Sequence, residues 1–260
     1  MKLIFFDIDG TLIDEKKKEM SLSTKRAVEK ARENGHVCVV NTGRTWKLVN
    51  GVITQLAEFD GYILGCGTMV RLYDKTILRE TFSPELAVRI IESLRKHKID
   101  AVLEGGENNF HDAWDKIHTP LFVDFMKRFR EKKFGSFEEA PGQFDKFYAY
   151  TESQKEMDAF RAEFEQELEF VDREQGFYEM MPKGFSKASG MRFLAGQLQI
   201  PMEDTVAIGD SNNDISMLEC AHVSIAMGNA SPAVKAMADY VTTDVDKDGI
   251  ANALKWLGVV

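Results

Sequence analysis

The sequence predicts an α/β protein: a doubly wound, mostly parallel, Rossmann-like core with an inserted α+β domain. Short apolar runs alternate with helical patterns at both ends of the chain, as in a parallel sheet covered by helices on both faces. Polar residues directly follow three of these runs. The middle of the chain has a different order, in which helical patterns are interspersed with more polar, strand-like runs. The 260 residues suffice for one elaborated domain or two modest ones.

The predicted core consists of residues 1–81 and 184–260. Its strands are buried apolar runs, and its helices have apolar residues at helical spacing, an N-cap residue or a terminal glycine. In order, these elements are a strand at 2–6, a helix at 22–34 that ends at Gly35, strands at 37–40 and 62–64, a helix at 187–198, strands at 205–208 and 223–226, a helix that starts at Ser231-Pro232, and a weaker strand at 240–242.

Residues 82–183 are predicted to form the inserted α+β domain, a cap that determines substrate specificity. A lid at this position could close over the strand ends of the core and contact the leaving group. Its predicted elements are a helix after Ser83-Pro84-Glu85, a strand at 99–104, a helix at 119–133 with Phe122, Phe125, Met126 and Phe129 on its apolar side, a strand at 145–151, a helix after Ser153, and strands at 168–171 and 177–181.

Composition narrows the function classes. The net charge of −9 and the pI of about 5.2 argue against a general nucleic-acid-binding surface. No apolar stretch approaches the roughly 18 residues of a membrane helix, and we expect no cleavable signal segment, because no basic region precedes the strand-like KLIFF. Cys38, Cys66 and Cys220 form no CxxC pair, which favours reduced thiols in a cytoplasmic protein. An acidic protein that binds phosphate anions needs local positive charge to attract them, such as a metal ion.

Polar residues at three strand ends point to a site. Asp7 and Asp9 follow the first strand, Asn41-Thr42-Gly43 the second, and Gly209-Asp210 the run at 205–208. Ligands of open α/β sheets bind at the carboxyl ends of the strands, where Asp7 and Asp9, two positions apart, can face one substrate. Each segment alone is more typical of a polar turn than of a site. The coincidence of all three favours a site.

Four separated motifs carry a family resemblance. DIDGT at 7–11, TGR at 42–44, Lys187 in PKGFSK, and GDSNND at 209–214 resemble the motifs of the haloacid dehalogenase superfamily of phosphohydrolases. Their order and the place of the insertion resemble its Cof-type branch, subclass IIB. Two longer segments are similar to that branch in residue identity as well as in spacing: MPKGFSKASG and AMGNASPAVKAMADYVT.

The resemblance implies a phosphoric monoester hydrolase with an aspartyl-phosphate intermediate on Asp7. Asp9 is expected to act as general acid and then as the base that activates water. Asp7, the backbone carbonyl of Asp9, and Asp210 are expected to hold Mg²⁺. Asp214 is expected to support the metal from the second shell or through water, and it would also suit the dipole of a helix start.

Further residues are expected to bind the phosphoryl group. Thr42, the amides of Gly43 and Ile8, and Asn213 are the expected hydrogen-bond donors. Lys187 is expected to supply positive charge, although by itself it is also typical of a solvated helix start. Arg44 either contacts substrate or pairs with a nearby acid.

Two segments depart from known patterns. Residues 244–249 (DVDKDG) match the start of an EF-hand loop, but Lys255 stands where Glu is needed and a strand precedes the loop, so we predict no calcium site. The Cof-type branch usually has Asn-Gly where this chain has Gly65-Cys66-Gly67. The polar and aromatic segment 104–118, with His111, Trp114 and His118, is a candidate for leaving-group contacts in which no single residue is assigned.

The sequence therefore predicts a Mg²⁺-dependent phosphatase of small phosphorylated metabolites, with sugar phosphates as the expected substrates. The expected partner is a small-molecule phosphate ester, not a nucleic acid or a membrane, and the expected state is a monomer or small homo-oligomer. One alternative is a sugar-phosphate phosphotransferase or mutase, although mutases of this superfamily usually carry a lid between the first two motifs, where this chain has none. The other is a non-catalytic phosphometabolite-binding protein, which would not need Asp9.

Overall fold

Contacts between Cα atoms divide the computed structural model, which describes residues 1–127 and 134–260, into two units. Unit 1 comprises Met1–Arg44, Leu48–Arg79 and Ser186–Val260, and unit 2 comprises Thr45–Lys47 and Glu80–Phe185. The residues of the predicted insertion fall in unit 2. Its role as a substrate-specificity cap stays a prediction.

The described residues contain the following elements. The strands are β1 (Leu3–Phe6), β2 (Val37–Asn41), β3 (Gly61–Leu64), β4 (Met69–Leu72), β5 (Lys75–Arg79), β6 (Asp100–Glu104), β7 (Asn109–His111), β8 (Gly135–Ser136), β9 (Lys146–Tyr150), β10 (Leu168–Asp172), β11 (Phe177–Pro182), β12 (Thr205–Gly209), β13 (Val223–Ala226) and β14 (Tyr240–Val241). The helices are α1 (Leu22–Glu33), α2 (Trp46–Val49), α3 (Pro84–Lys96), α4 (Pro120–Lys127), α5 (Gln154–Phe164), α6 (Lys187–Leu198), α7 (Ile215–Cys220), α8 (Pro232–Met237) and α9 (Gly249–Trp256).

Unit 1 is built on an eight-stranded sheet in the order β14-β13-β12-β1-β2-β3-β4-β5. The strands from β14 to β3 are parallel, and β4 and β5 add an antiparallel hairpin at one edge. All four residues of β1 are fully buried, as expected for a central strand with both faces covered. This architecture confirms the predicted α/β fold class.

The register of the central strands aligns their carboxyl ends. Phe6 at the end of β1 lies opposite Val40 of β2 and Ile208 of β12. The backbone N–H of Asp7 donates to the carbonyl of Ile208 at 3.0 Å, so the parallel pairing continues one residue beyond β1. The residues that follow β1, β2 and β12 therefore come together at one edge of the sheet.

Unit 2 is built on a six-stranded sheet in the order β10-β11-β9-β6-β7-β8, antiparallel except for the β7–β8 pair. Its main apolar core joins residues of α3 and α5 to alternate residues of β6, β9 and β11. Ser83 and Ser153 cap the starts of these helices as predicted. The helix predicted at 119–133 begins at Pro120; its expected apolar residue Phe129 lies outside the described residues.

Several short elements are additional to those predicted. They include the β4–β5 hairpin, β7, β8 and the helices α2 and α7. No helix in the described part of the chain combines the length and the apolar character needed to cross a membrane.

Candidate active site

Lys187 lies between two carboxylates at the edge of the unit 1 sheet. It is the first residue of α6, and the Ser186 side chain caps that helix by accepting from the Ser189 N–H at 3.1 Å. The Lys187 Nζ donates to Asp7 Oδ1 at 2.6 Å and to Asp214 Oδ1 at 2.5 Å. Its side chain is 1% exposed, so both ion pairs are shielded from solvent. A lysine buried in this way is not a solvated helix-start residue.

The last residue of β2 contacts the same lysine. Asn41 is fully buried, and its Nδ2 donates to the backbone carbonyl of Lys187 at 3.1 Å. This bond fixes the start of α6 against the end of β2. Thr42, the next residue, is also buried, and its backbone N–H donates to the carbonyl of Ile63 at 2.9 Å.

Asp214 orders the loop that follows β12. Its Oδ2 accepts from the backbone N–H groups of Asp210 at 2.9 Å and Ser211 at 3.0 Å. Gly209 is required here because a Cβ at that position would meet the carboxylate of Asp214 at less than 3 Å. Both oxygens of Asp214 are thus occupied, one by Lys187 and one by this loop.

Asp210 is held by the loop that follows β1. The hydroxyl of Thr11 donates to Asp210 Oδ1 at 2.8 Å. The chain turns there because the carbonyl of Ile8 accepts from the N–H groups of Thr11, Leu12 and Ile13. Gly10 has φ +79°, and a Cβ at this position would collide with the Asp210 carboxylate. The Gly10-Thr11 pair therefore lets the β1 loop approach Asp210 closely.

The electrostatics of this cluster show a surplus of negative charge. Burial, together with the charge of Asp214, raises the pKa of Asp7 to about 7 even though Lys187 opposes the shift. Burial and the charges of Asp214 and Asp7 raise the pKa of Asp210 to about 8. Burial alone would lower the pKa of Lys187, but Asp214 and Asp7 outweigh it and raise that pKa, so the lysine stays charged.

The same cluster has the donor set of a hard-cation site. One carboxylate oxygen from each of Asp7, Asp210 and Asp214 lies within 4.8 Å of the others. Oδ2 of Asp7 and Oδ2 of Asp210 accept no hydrogen bond from the described residues, whereas both oxygens of Asp214 do. Oxygen donors with excess negative charge suit Mg²⁺. The residues fit that metal: Asp7 and Asp210 each have an oxygen available to coordinate it, whereas both oxygens of Asp214 are already engaged.

Asp9 points to a different partner. Arg44 donates to both of its carboxylate oxygens, from Nε to Oδ2 at 2.8 Å and from a terminal nitrogen to Oδ1 at 2.5 Å. The Asp9 side chain is 37% exposed, in contrast to the buried Asp7. Of the two roles left open for Arg44, pairing with a nearby acid is therefore the one seen.

The expected phosphate-binding groups lie on the loops of this site. The Thr42 hydroxyl accepts from the Arg44 N–H at 3.1 Å, and Gly43 lies between these two residues. The Oδ1 of Asn213 accepts from the hydroxyl of Ser211 in the loop before α7. Ile8 lies between the two aspartates, with its side chain fully buried. Their contacts with substrate stay predictions.

Some contacts of the site were not foreseen from sequence. The motif DIDGT does not by itself assign a role to Thr11, although a hydroxyl directly after the glycine is a natural partner for a carboxylate. The sequence identifies Asn41 only as a polar residue at a strand end, not as a partner of the Lys187 carbonyl. The rejected calcium loop is held by its own ion pair, in which Lys247 Nζ lies 2.5 Å from Asp244 Oδ2.

Sequence and structure comparisons relate this chain to known proteins. A model of the haloacid dehalogenase-like hydrolases matches residues 4–254. This chain is 31% identical to YkrA of Bacillus subtilis (strain 168), over 100% of this chain and 98% of YkrA. YkrA is provisionally named a phosphatase. Pyridoxal phosphate phosphatase YbhA of Escherichia coli (strain K12) is 31% identical over 96% of each chain. The solved structure of the subclass IIB sugar phosphatase BT4131 superposes with a TM-score of 0.84 at 27% identity, covering 100% of both chains.

Proposed function

The chain belongs to the haloacid dehalogenase-like hydrolases, as a phosphatase of the Cof-type subclass IIB, and from this premise we propose that it hydrolyses small sugar phosphates through a phosphorylated Asp7. The observation that carries the proposal is the buried Asp7–Lys187–Asp214 arrangement beside Asp210. A nucleophilic carboxylate needs nearby positive charge to approach a phosphate dianion. Lys187 supplies that charge at 2.6 Å from Asp7.

In the first half-reaction, an oxygen of Asp7 forms a bond to phosphorus while the bond from phosphorus to the ester oxygen breaks. Asp9 donates its proton to the departing alcohol oxygen. In the second half-reaction, Asp9 accepts a proton from a water molecule, whose oxygen attacks phosphorus. The bond to Asp7 then breaks, inorganic phosphate leaves, and both aspartates return to their starting state.

The chain's other residues hold the reactants during these steps. Thr42, Gly43, Ile8 and Asn213 are proposed to donate hydrogen bonds to the phosphoryl oxygens. The contact of Arg44 with both oxygens of Asp9 keeps that carboxylate oriented before substrate arrives. Proton transfer by Asp9 requires at least one of these two bonds to be exchanged for a bond to substrate or water.

Asp7, Asp210 and the backbone carbonyl of Asp9 are proposed to hold Mg²⁺. When bound, the metal ion neutralises charge on the transferring phosphoryl group and offsets the repulsion among the carboxylates. Asp214 keeps Lys187 and the Asp210 loop in place for this arrangement.

The substrate class rests on the relatives. The name of YbhA specifies pyridoxal phosphate, and that of BT4131 specifies sugar phosphates. Both are small phosphate monoesters. The proposed partner is therefore a small molecule rather than a nucleic acid or a membrane. The three free cysteines fit a protein of the cytoplasm, the proposed location.

A panel of phosphate monoesters, assayed with Mg²⁺ and with EDTA, tests the proposal. Wild type should release phosphate from sugar phosphates only with Mg²⁺, and Asp7→Asn should be inactive on every ester. Asp204→Asn is the matched control, because Asp204 is an exposed acid that pairs with Lys2 at 2.9 Å.

Three outcomes would contradict the proposal. Undiminished hydrolysis by Asp7→Asn would exclude the covalent intermediate. No turnover of any ester by wild type would favour a binding protein. Transfer of phosphate to an added sugar faster than its release to water would identify a phosphotransferase.

A further inference from the structure

A turn without any catalytic group braces the two acidic loops of the site. Residues 227–231 connect β13 to α8 and donate to three backbone carbonyls of these loops. The donors and acceptors are Met227 N–H to Gly209 O at 2.9 Å, Asn229 Nδ2 to Gly10 O at 2.8 Å, and Ser231 N–H to Asp210 O at 3.3 Å. Met227 and Ser231 donate from the backbone, whereas Asn229 donates from its side chain. A substitution can therefore remove the Asn229 bond alone.

Asn229 uses both ends of its side-chain amide. While Nδ2 donates to Gly10, its Oδ1 accepts from the backbone N–H of Val245 at 2.8 Å. The segment around Val245 is itself fixed to the turn, because the Gly228 N–H donates to the carbonyl of Thr243 at 3.0 Å. Asn229 therefore ties the β1 loop to a segment anchored elsewhere in unit 1.

The position of the Gly10 peptide affects both Asp9 and Asp210. Gly10 packs directly against the Asp210 carboxylate, and Thr11, the next residue, donates to that carboxylate at 2.8 Å. Asp9 is the preceding residue. A shift of the Gly10 carbonyl would thus move the general acid and loosen the hydroxyl that orients Asp210.

We propose that Asn229 is a positioning residue for the phosphatase reaction: it fixes the Gly10 carbonyl and thereby the relative placement of Asp9 and Asp210. The inference rests on the proposed function, since it assigns those aspartates their roles. Asn229 contacts the loop backbones and is not required to touch substrate. Its loss should therefore affect catalysis and metal affinity rather than ester binding.

The variants Asn229→Ala and Asn229→Asp test this role against Asn252→Ala. Asn252 is the matched control, because its Nδ2 donates to Thr243 Oγ1 at 2.8 Å and so contacts the same anchored segment without reaching Gly10. Loss of one such hydrogen bond should lower kcat about tenfold, with KM for the ester nearly unchanged. The affinity of the substrate-free protein for Mg²⁺, measured by calorimetry, should weaken by a similar factor.

Asn229→Asp should be the more damaging of the two. A carboxylate cannot donate to the Gly10 carbonyl. The cavity that Asn229 lines also has more acidic than basic residues in its lining: Asp14, Glu15, Asp210, Asp244 and Asp246, with Lys16 and Lys247. A further negative charge there would repel its neighbours. Asn229→Ser, which keeps a donor, is the second variant to be measured if alanine impairs folding, and it should fall between wild type and Asn229→Asp.

The outcomes separate this inference from the proposed function. An inactive wild type refutes the function. An active wild type whose Asn229 variants keep both kcat and Mg²⁺ affinity refutes the positioning role. A lower melting temperature with unchanged kcat and Mg²⁺ affinity would also refute it, because it would show a purely structural contact.

Discussion

Burial raises the pKa of Asp7 and Asp210, although their proposed roles require ionised carboxylates. Both carboxylates lie in a buried or half-buried cluster with Asp214. The adjacent Lys187 donates to Asp7 and Asp214. Buried carboxylates that outnumber their cationic partners are costly, and their pKa values rise, which favours the neutral form unless a further cation binds. The chain thus retains a local strain that a divalent ion would relieve.

Binding of Mg²⁺ should therefore release protons. The pKa of Asp7 is about 7 and that of Asp210 about 8, so both are partly protonated near neutral pH in the metal-free protein. Metal ligands must be ionised, so Mg²⁺ affinity should rise as the pH rises through 7 to 8. Calorimetry in buffers of different ionisation enthalpy measures the protons released. A pH-independent affinity would contradict the shifts.

The stability of the metal-free protein should have the opposite dependence on pH. Between the unfolded pKa of 3.8 and the raised folded values, the folded state binds more protons than the unfolded chain. Stability then falls as the pH rises through this window. Melting temperatures in EDTA should decline more steeply from pH 5 to pH 8 for wild type than for Asp210→Asn, which retains only the Asp7 contribution. Equal slopes would contradict the expectation.

The Asp9→Asn variant separates proton transfer from metal binding. The residue's proposed metal contact is its backbone carbonyl, which the substitution leaves in place, whereas the amide cannot transfer a proton. Hydrolysis should slow by about 10²- to 10⁴-fold, and Mg²⁺ affinity should stay close to that of wild type. Steady-state assays and calorimetry measure the two quantities. Loss of Mg²⁺ binding would show that the Asp9 side chain is itself a ligand.

At the scale of elements, the sequence predicts those with strong patterns and misses the short ones. The fully buried β1 and β12 appear as continuous apolar runs, and Gly35 at φ +84° marks the end of α1. The hairpin strand β5 has the mixed sequence KTILR and is exposed or half-buried throughout, so it has no apolar run to detect. The six residues of α7 are too few to establish a helical period.

His97 links two helices of unit 2 in a pH-dependent way. Its ring nitrogens contact Glu163 at 2.9 Å and Glu156 at 2.8 Å, joining the end of α3 to α5. The bond to Glu163 contributes most to raising the pKa of His97, which burial and Lys96 oppose. A raised histidine pKa stabilises the fold fully below about pH 6.5 and loses that contribution as the pH rises through the folded pKa.

The variant His97→Gln should therefore lower the melting temperature at pH 6 more than at pH 9. Thermal unfolding at both values measures the difference. The exposed His222 supplies the control, since His222→Gln removes no such link between helices. An equal loss at both pH values would show that His97 acts only by packing.

A buried ion cluster crosses three strands of the unit 2 sheet. Lys146 of β9 is fully buried, lies 3.0 Å from Glu104 of β6, and contacts Glu179 of β11. Lys146→Met would leave these two carboxylates without their lysine and should lower the free energy of unfolding by about 3–5 kcal/mol. Urea denaturation measures this.

The control for Lys146→Met is Lys183→Met. Lys183 is 52% exposed and lies 3.4 Å from Glu169. Loss of an exposed pair of this kind should cost less than about 1 kcal/mol. Equal effects of the two substitutions would mean that the buried cluster contributes no more than a surface pair.

At the scale of the whole molecule, the sequence predicts that Asp7 and Asp210 meet at one edge of the sheet, but not all the bonds formed there. Asp7, Lys187 and Asp210 are separated by more than 20 residues each, yet parallel pairing of β1 with β12 and the start of α6 bring them together. Alternating strands and helices indicate a parallel sheet, in which ligands bind at the carboxyl ends of the strands. The bond from Asn229 to Gly10 joins two loops whose conformations no local pattern specifies.

Separate cores predict separate unfolding. One apolar cluster, with Leu3, Leu194 and Ala207 among its members, lies within unit 1, and another, with Ile90, Phe147 and Phe160, lies within unit 2. A substitution in one core should therefore lower hydrogen-exchange protection mainly in its own unit. Lys146→Met should act on β6, β9 and β11. Leu194→Ala, which removes a buried side chain at a cost of about 2–5 kcal/mol, should act on β1, β12 and α6.

Hydrogen exchange followed by mass spectrometry distinguishes the two responses. Lys183→Met and an exposed unit 1 variant, Asp204→Asn, should leave protection in both units near that of wild type. Protection that falls equally in both units for each core variant would show that the chain unfolds as one cooperative body. The stability of unit 1 would then depend on packing within unit 2. A response confined to the altered unit would instead mean that a destabilising substitution in unit 2 leaves the buried carboxylate cluster of unit 1 intact.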